Sequence, residues 1–121
     1  MKPITFIIPL QCPSGKNAIT ITRTGLRFPN KRFVEWRKEA SKYITYKGKP
    51  IDTPVSVRLV YTAGDLRKRD IPGIIDAIWH LLEYNGVVAD DALLGGLGQS
   101  VIITQYYFLR LPSIEMTLYE N

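Results

Sequence analysis

The chain contains few of the residues that would support a disulfide-bonded or zinc-stabilised protein. It has one cysteine, Cys12, and one histidine, His80, among its 121 residues. A single cysteine cannot form an intramolecular disulfide, and no set of Cys and His residues with the spacing of a zinc site exists. We therefore expect a cytoplasmic protein that contains neither disulfides nor structural zinc.

Long hydrophobic runs are also missing. No apolar run approaches the roughly 20 residues that a membrane-spanning helix needs. The N-terminal run Ile4–Leu10 is too short for the core of a signal peptide, and it contains Pro9. Hydrophobic residues make up 45% of the chain, which is typical of a globular protein. We expect one domain over residues 1–121, with no membrane association and no small-molecule cofactor.

Basic residues almost disappear after residue 69. Residues 1–69 hold 15 bases and four acids, a formal charge of +11, whereas residues 70–121 hold one base and seven acids, a charge of −6. Because one domain folds both halves together, we expect a basic surface that also carries a cluster of carboxylates. Such surfaces bind polyanions through phosphate contacts. The alternative is a protein whose lysines are simply solvated.

Alternation and helical spacing predict a mixed α/β (α+β) fold. The strand candidates are β-branched or alternating segments: Ile4–Leu10, Ala18–Thr24, Leu26–Phe28, Val55–Tyr61, Val101–Leu111 and Ile114–Tyr119. One helix is expected after Asn30, a candidate N-cap, and another between Asp70 and Asn85-Gly86. We expect a mixed sheet of about five to six strands with two main helices packed on it.

The stretch from Arg67 to Ala92 combines cations, a helix and carboxylates. It opens with three cations: Arg67, Lys68 and Arg69. Asp70 precedes the helix, and Asp90-Asp91 follow it. If the next strand returns beside the first, these carboxylates meet as oxygen ligands for Mg²⁺, which activates water and stabilises charge on phosphate. Simpler roles stay open: Asp70 as a helix cap, Asp90-Asp91 as a turn pair, and the cations as a solvated run.

This order of cations, Asp, helix and Asp-Asp resembles the RusA family of Holliday-junction resolvases from bacteria and their prophages. The resemblance rests on Arg69-Asp70, on Leu81-Leu82 within the helix, and on Gly86-Val87-Val88-Ala89-Asp90-Asp91. Outside this stretch the resemblance is weaker, although the expected elements come in the same order along the chain. The resemblance implies a small homodimeric endonuclease of phage or prophage origin. It would bind four-way DNA junctions in recombination and repair and nick them with Mg²⁺, for which Mn²⁺ can substitute.

The chain departs from the family's pattern inside the helix. Pro72 replaces the family's second Asp, and Asp76 and His80 stand where the family has Lys and Asp. Because Asp76 lies one turn beyond Pro72, we expect it to supply the missing carboxylate. The expected metal ligands are therefore Asp70, Asp76 and Asp91, with Asp90 as a further catalytic residue.

The remaining expected contacts with DNA rest on charge and position. They involve Lys16, Arg23, Arg27, Lys31, Arg32, Arg67, Lys68 and Arg69. Two alternatives stay open. One is a non-catalytic DNA-binding protein of the same fold that has lost the second metal carboxylate. The other is a basic domain that binds an acidic partner protein.

Overall fold

The computed structural model of the protein describes residues 3–13, 19–21, 23–25, 27–64, 71–95, 100–106 and 111–120. In chain order the elements are β1 (Ile4–Ile8), β2 (Ile19–Ile21), β3 (Arg27–Pro29), α1 (Lys31–Ser41), β4 (Val55–Ala63), α2 (Ile71–Tyr84), α3 (Ala92–Gly95), β5 (Ser100–Tyr106) and β6 (Ser113–Glu120). Within these ranges, none of the helices has both the length and the apolar character of a membrane span.

Four strands form the main sheet, in the order β1-β6-β4-β5. β6 lies antiparallel to both β1 and β4, whereas β5 runs parallel to β4. A parallel pair needs a crossover connection, and here the chain between β4 and β5 contains α2 and α3. The carboxyl ends of β4 and β5 therefore point to the same edge of the sheet.

The prediction of a mixed α+β fold is confirmed, but a single sheet of five to six strands is more than the structure shows. β2 and β3 form a separate two-stranded antiparallel sheet. Gly25, between them, has a φ of 84°, which a tight turn between short strands accommodates best with glycine. Alternation in a sequence identifies such strands, but it does not show that this pair stays separate from the main sheet.

One face of the main sheet forms a large part of the core. The buried residues of β4 and β6 on this face are Val55, Val57, Leu59, Tyr61, Ala63, Ile114, Met116 and Leu118. Alternate residues such as Arg58 and Glu115 are exposed, because neighbouring side chains on a strand point to opposite faces. The clean alternation in Val55–Tyr61 therefore predicted both the strand and its buried face correctly.

Helix α1 begins at its predicted cap. The side-chain oxygen of Asn30 accepts hydrogen bonds from the backbone N–H groups of Arg32 (2.9 Å) and Phe33 (3.4 Å). Phe33 and Trp36 are buried within the same core cluster as α2. Asn85 of the segment after α2 donates a hydrogen bond from its amide to Ser41 Oγ at 3.1 Å, which joins the C-terminal ends of the two helices.

Helix α2 buries an apolar stripe against the core and ends in a defined turn. The buried positions are Gly73, Ile74, Ala77, Ile78, Trp79, Leu81 and Leu82. Gly86 takes a positive φ of 71°. Its N–H donates to the Glu83 carbonyl, and the Val87 N–H donates to the Leu82 carbonyl, both at 3.0 Å. These paired bonds form a Schellman motif, in which glycine avoids the steric cost of the left-handed conformation.

The chain after this turn is fixed to the loop that precedes β4. Val88 forms an isolated parallel bridge with Ile51. The Ile51 N–H donates to the Val87 carbonyl, and the Ala89 N–H donates to the Ile51 carbonyl, each at 2.9 Å. Because Val87 and Val88 are both buried, this short segment is well anchored. The bridge thereby sets where Asp90 and Asp91, the next two residues, emerge.

Candidate functional site

Three acidic side chains meet beside the C-terminal end of α2. They are Glu83, in the last turn of the helix, and Asp90 and Asp91, which follow the anchored segment. One carboxylate oxygen from each lies within 4.8 Å of those from the other two. We call these three residues the carboxylate cluster. The Schellman turn and the Ile51–Val88 bridge produce it, because together they return the chain to the side of the helix that carries Glu83.

Two backbone hydrogen bonds fix the cluster. The Asp91 N–H donates to Glu83 Oε1 at 3.1 Å, and the Ala92 N–H donates to Asp90 Oδ1 at 2.8 Å. Asp90 therefore caps the first turn of α3, which agrees with the expectation of a turn residue. Each ionised carboxylate has about four lone-pair sites, so these single bonds leave capacity to bind a cation.

The electrostatic environment of Asp91 disfavours its negative charge. Burial raises the pKa of the Asp91 carboxyl above its ordinary value, and the charges of Glu83 and Asp90 raise this pKa further. A side-chain hydrogen bond with Asp90 and the charge of Asp76 act in the same direction. Like charges held close together raise a carboxyl pKa because ionisation adds to their repulsion. A bound cation would remove that repulsion.

The structure brings together only part of the predicted metal site. Asp90 and Asp91 belong to the carboxylate cluster, whereas Asp76 is not in it. Asp76 precedes Glu83 by seven residues, or about 10 Å along the helix axis. Its charge nevertheless contributes to the raised pKa of Asp91, so it faces the cluster from a distance. Asp70 lies outside the described residues, so its role stays a prediction.

The predicted ligand set did not include Glu83. The signal available in the sequence was spacing, since Asp76, His80 and Glu83 follow one another at i, i+4 and i+7 and so share a helix face. That spacing alone does not reveal which residues the face meets. The contact with Asp91 depends on the turn after the helix and on the bridge to Ile51.

His80 connects the acidic face of α2 to a cation on α1. Arg37 Nη1 lies 3.1 Å from His80 Nε2. Since a guanidinium can only donate, Nε2 is the acceptor and the imidazole proton lies on Nδ1. Burial lowers the pKa of His80, and the Arg37 charge lowers it further, whereas Glu83 and Asp91 raise it. The net effect favours the neutral imidazole at neutral pH.

Arg37 also stands over an exposed aromatic ring. Its guanidinium carbon is 4.2 Å from the centroid of the Tyr84 ring, in cation–π geometry. The rings of His80 and Tyr84 are stacked, with centroids 6.0 Å apart and planes inclined by 28°. Phe33 packs against His80 at 5.6 Å on the inner side. Arg37, His80 and Tyr84 thus form a connected group beside the carboxylate cluster.

The predicted DNA contacts are described only in part. Arg23, Lys31 and Arg32 are exposed, and Arg27 lies in β3. Four others lie outside the described residues: Lys16, Arg67, Lys68 and Arg69. Lys31 and Arg32 occupy the first turn of α1, so their cations lie at the opposite end of that helix from its link to Asn85. Their contact with DNA stays a prediction.

Comparison with known proteins identifies a relative of the chain. No protein-family model matches the chain. Over 72 residues the chain is 31% identical to the crossover junction endodeoxyribonuclease RusA of Aquifex aeolicus (strain VF5). The match includes 58% of this chain and 57% of that relative. The similarity supports a relationship to RusA-like proteins and spans little more than half the length of the curated relative.

Proposed function

We propose that the protein is a divalent-cation-dependent endodeoxyribonuclease that nicks four-way DNA junctions, with residues 1–121 as one RusA-like domain. The observation that carries the proposal is the carboxylate cluster of Glu83, Asp90 and Asp91, whose oxygens lie within 4.8 Å of one another. The similarity to a crossover junction endodeoxyribonuclease supports the choice of reaction and substrate. The positive charge of residues 1–69 supports binding to a polyanion.

The cluster fits a hard divalent cation. Mg²⁺ prefers oxygen ligands at about 2.0–2.1 Å in octahedral geometry, so its ligand oxygens lie about 2.9 Å apart when adjacent and about 4.2 Å apart when opposite. The oxygens of the cluster lie within 4.8 Å of one another, which is close to this range. The donors are all oxygen, which favours Mg²⁺ or Mn²⁺ over softer metals. The raised pKa of Asp91 provides an electrostatic reason for a cation to bind there.

When bound, the cation would activate a water molecule and stabilise charge on the scissile phosphate. The side chains nearby would orient the DNA. Arg37 uses one guanidinium nitrogen for His80, which leaves other N–H groups that can bind a phosphate oxygen. The hydrogen bond to His80 holds that guanidinium over the Tyr84 ring. Asp76, on the same helix face, would contribute its negative charge from a greater distance.

Asp70 remains a proposed further ligand. Ile71, the first residue of α2, lies about 18 Å along the helix axis from Glu83. A carboxylate that precedes the helix reaches the cluster only if the chain before Ile71 runs back along α2. Comparing Asp70→Asn with Asp91→Asn in metal binding separates a shared site from two distant ones. If both weaken one Mn²⁺ site equally, Asp70 shares it; if Asp70→Asn leaves that site unchanged, it does not.

Symmetrical nicking of a junction requires two active sites. A homodimer with two-fold symmetry would present two carboxylate clusters to a junction that itself has near two-fold symmetry. We therefore include a homodimer in the proposal. The oligomeric state follows from light scattering of the protein in solution, where a monomer would count against paired nicking.

A second function, binding to junctions without cleavage, is favoured by one specific observation. Asp90 caps α3, and Glu83 accepts the Asp91 N–H, so both carboxylates already have structural partners. A protein that retains these contacts for stability alone would keep the fold and the basic surface while lacking chemistry. This reading also agrees with Pro72, which cannot replace a metal carboxylate.

An end-labelled four-way junction incubated with and without Mg²⁺ or Mn²⁺ tests these functions. The proposal predicts nicked products that require the cation, and a loss of at least about 100-fold in cleavage for Asp91→Asn and Glu83→Gln, since a metal site supplies several kcal/mol. Glu115→Gln is a matched control, because Glu115 is exposed on β6 away from the cluster. Junction binding without products would favour the second function. Equal affinity for junction and linear duplex would contradict the proposed substrate.

A further inference from the structure

We propose that Tyr84 stacks on an unstacked base of the DNA beside the carboxylate cluster, with Arg37 holding the ring in place. This inference rests on the proposed function and names the structural feature of the substrate that the site would recognise. Tyr84 is the last residue of α2 and directly follows Glu83 of the cluster. Its ring stacks against His80, which lies three residues before Glu83 and so on the same helix face, so a base held by the Tyr84 ring would lie near the phosphate being cleaved.

The exposure of the ring is the first observation. Tyr84 is 57% exposed, although Arg37 covers part of its ring. The other large apolar side chains exposed among the described residues are Ile7, Tyr43, Leu111 and Tyr119. None of these directly adjoins a member of the carboxylate cluster in the chain, whereas Tyr84 follows Glu83. An exposed aromatic ring at the rim of a candidate active site is well placed to bind a flat ligand.

The second observation is that neighbouring side chains hold the Tyr84 ring in place. Arg37 lies 4.2 Å from the ring centroid and is itself fixed by its hydrogen bond to His80. The His80 ring stacks against Tyr84 and rests on Phe33, which is buried. The next residue, Asn85, ties the helix end to Ser41 of α1. A ring already held in this way loses little side-chain entropy when a ligand stacks on it.

The chemistry of the group favours a nucleobase with its phosphate. Aromatic rings bind bases of any sequence through their faces, and an arginine beside the ring adds cation–π attraction. The Arg37 charge also complements the phosphate that accompanies each base. In duplex DNA, both faces of a base are covered by its neighbours. A base beside a branch point, flap or end can have a free face because it lacks one stacking neighbour, so the Tyr84 ring would favour branched DNA.

The test combines a protein variant with a DNA variant. Affinity is measured in EDTA, which prevents cleavage, for an intact four-way junction and for a set of junctions that each carry one abasic site at the branch point. We expect Tyr84→Leu to weaken binding to the intact junction about 5- to 150-fold, the range for loss of one stacked base. Tyr84→Phe and Tyr84→Trp should bind within about twofold of the parent or better, since both keep the ring.

On one of the abasic junctions, Tyr84→Leu and the parent protein should bind with equal affinity. On it, the parent protein should bind as weakly as Tyr84→Leu does on the intact junction, because the base that the ring contacts is gone. Tyr43→Leu is the matched control, since Tyr43 is also an exposed tyrosine near the end of a helix. Its affinity for every junction should equal that of the parent.

Three results would overturn the inference. The first is parent-like binding by Tyr84→Leu. The second is an equal loss of affinity by Tyr84→Leu on the intact junction and on every abasic junction. That result would mean that the ring contacts the DNA backbone or is needed for folding. The third is that Tyr84→Leu dissociates a homodimer but leaves the affinity for DNA unchanged. That result would mean that the ring contacts the other subunit. Failure of the parent to bind any DNA would instead overturn the proposed function itself.

Discussion

Replacing Asp91 with asparagine should stabilise the protein when no divalent cation is present. Asp91 lies within 4.8 Å of the carboxylate oxygens of both Glu83 and Asp90. Asparagine has nearly the same shape, keeps the backbone N–H that donates to Glu83 Oε1, and adds an amide that can donate to Asp90. The substitution therefore removes repulsion without removing the contacts that shape the cluster.

The size of this stabilisation follows from the distances between the carboxylates. Two unit charges 4.8 Å apart interact by ~0.9 kcal/mol in water, and a Debye length of about 8 Å at physiological salt reduces this to ~0.5 kcal/mol. Asp91 faces two such charges, so its neutralisation should raise the free energy of unfolding by about 1 kcal/mol. The site is exposed, and solvation keeps the effect at this scale. For a chain of this length the gain corresponds to about 4 °C in Tm.

The sign of the pH dependence provides an internal check. The folded-state pKa of Asp91 is raised above its ordinary value of 3.8. Between these two pKa values the folded state binds more protons than the unfolded state, so the free energy of unfolding falls as the pH rises. The advantage of Asp91→Asn should therefore be absent at low pH, grow as the pH rises through the folded pKa, and remain constant above it.

Urea unfolding in EDTA, followed by circular dichroism across this pH range, measures the effect. Glu39→Gln is the control, because Glu39 forms an exposed salt bridge with Lys42 and lies outside the cluster. It should lose at most about 0.5 kcal/mol, as expected for an i,i+3 pair on a helix surface. An Asp91→Asn variant less stable than the parent at neutral pH would refute the reasoning, since the carboxylates would then not repel one another.

Three further predictions follow from other contacts. An NMR titration of His80 should give a pKa below 6.5, and Arg37→Gln should raise this pKa because it removes the adjacent positive charge; an unchanged pKa would contradict the Arg37–His80 contact. Asn30→Ala should lower the free energy of unfolding by about 1 kcal/mol in urea, since it removes the N-cap of α1; no loss would show that the cap is not formed. Replacing Lys31 and Arg32 together by alanine should reduce the slope of log affinity for DNA against log salt by about two, whereas an unchanged slope would place these cations off the DNA.

Local signals in the sequence predicted the main elements well. Helix α2 was expected between Asp70 and Asn85-Gly86, and it spans Ile71–Tyr84 because Gly86 adopts the positive φ that ends the helix. Asn30 was expected to cap α1 and does so. These features depend on residues close together in the chain, so the sequence alone was sufficient to locate them.

Contacts between distant segments were harder to predict. Whether the paired strands β2 and β3 join the main sheet depends on which strand edges meet, and alternation carries no information on that choice. The membership of Glu83 in the cluster depends on the turn at Gly86 and on the bridge between Ile51 and Val88, which are 37 positions apart in the chain. The sequence therefore identified Asp90 and Asp91 as candidates but not their nearest acidic neighbour.

The most direct test of the account is Mn²⁺ binding measured by electron paramagnetic resonance, in which bound Mn²⁺ loses the sharp signal of the free ion. If Glu83, Asp90 and Asp91 hold the cation, Glu83→Gln should weaken Mn²⁺ binding at least about tenfold, as expected for the loss of one ligand. Glu115→Gln should bind Mn²⁺ as the parent does. Equal Mn²⁺ affinity of Glu83→Gln and the parent, or no binding by the parent, would contradict the assignment of these carboxylates to a metal site.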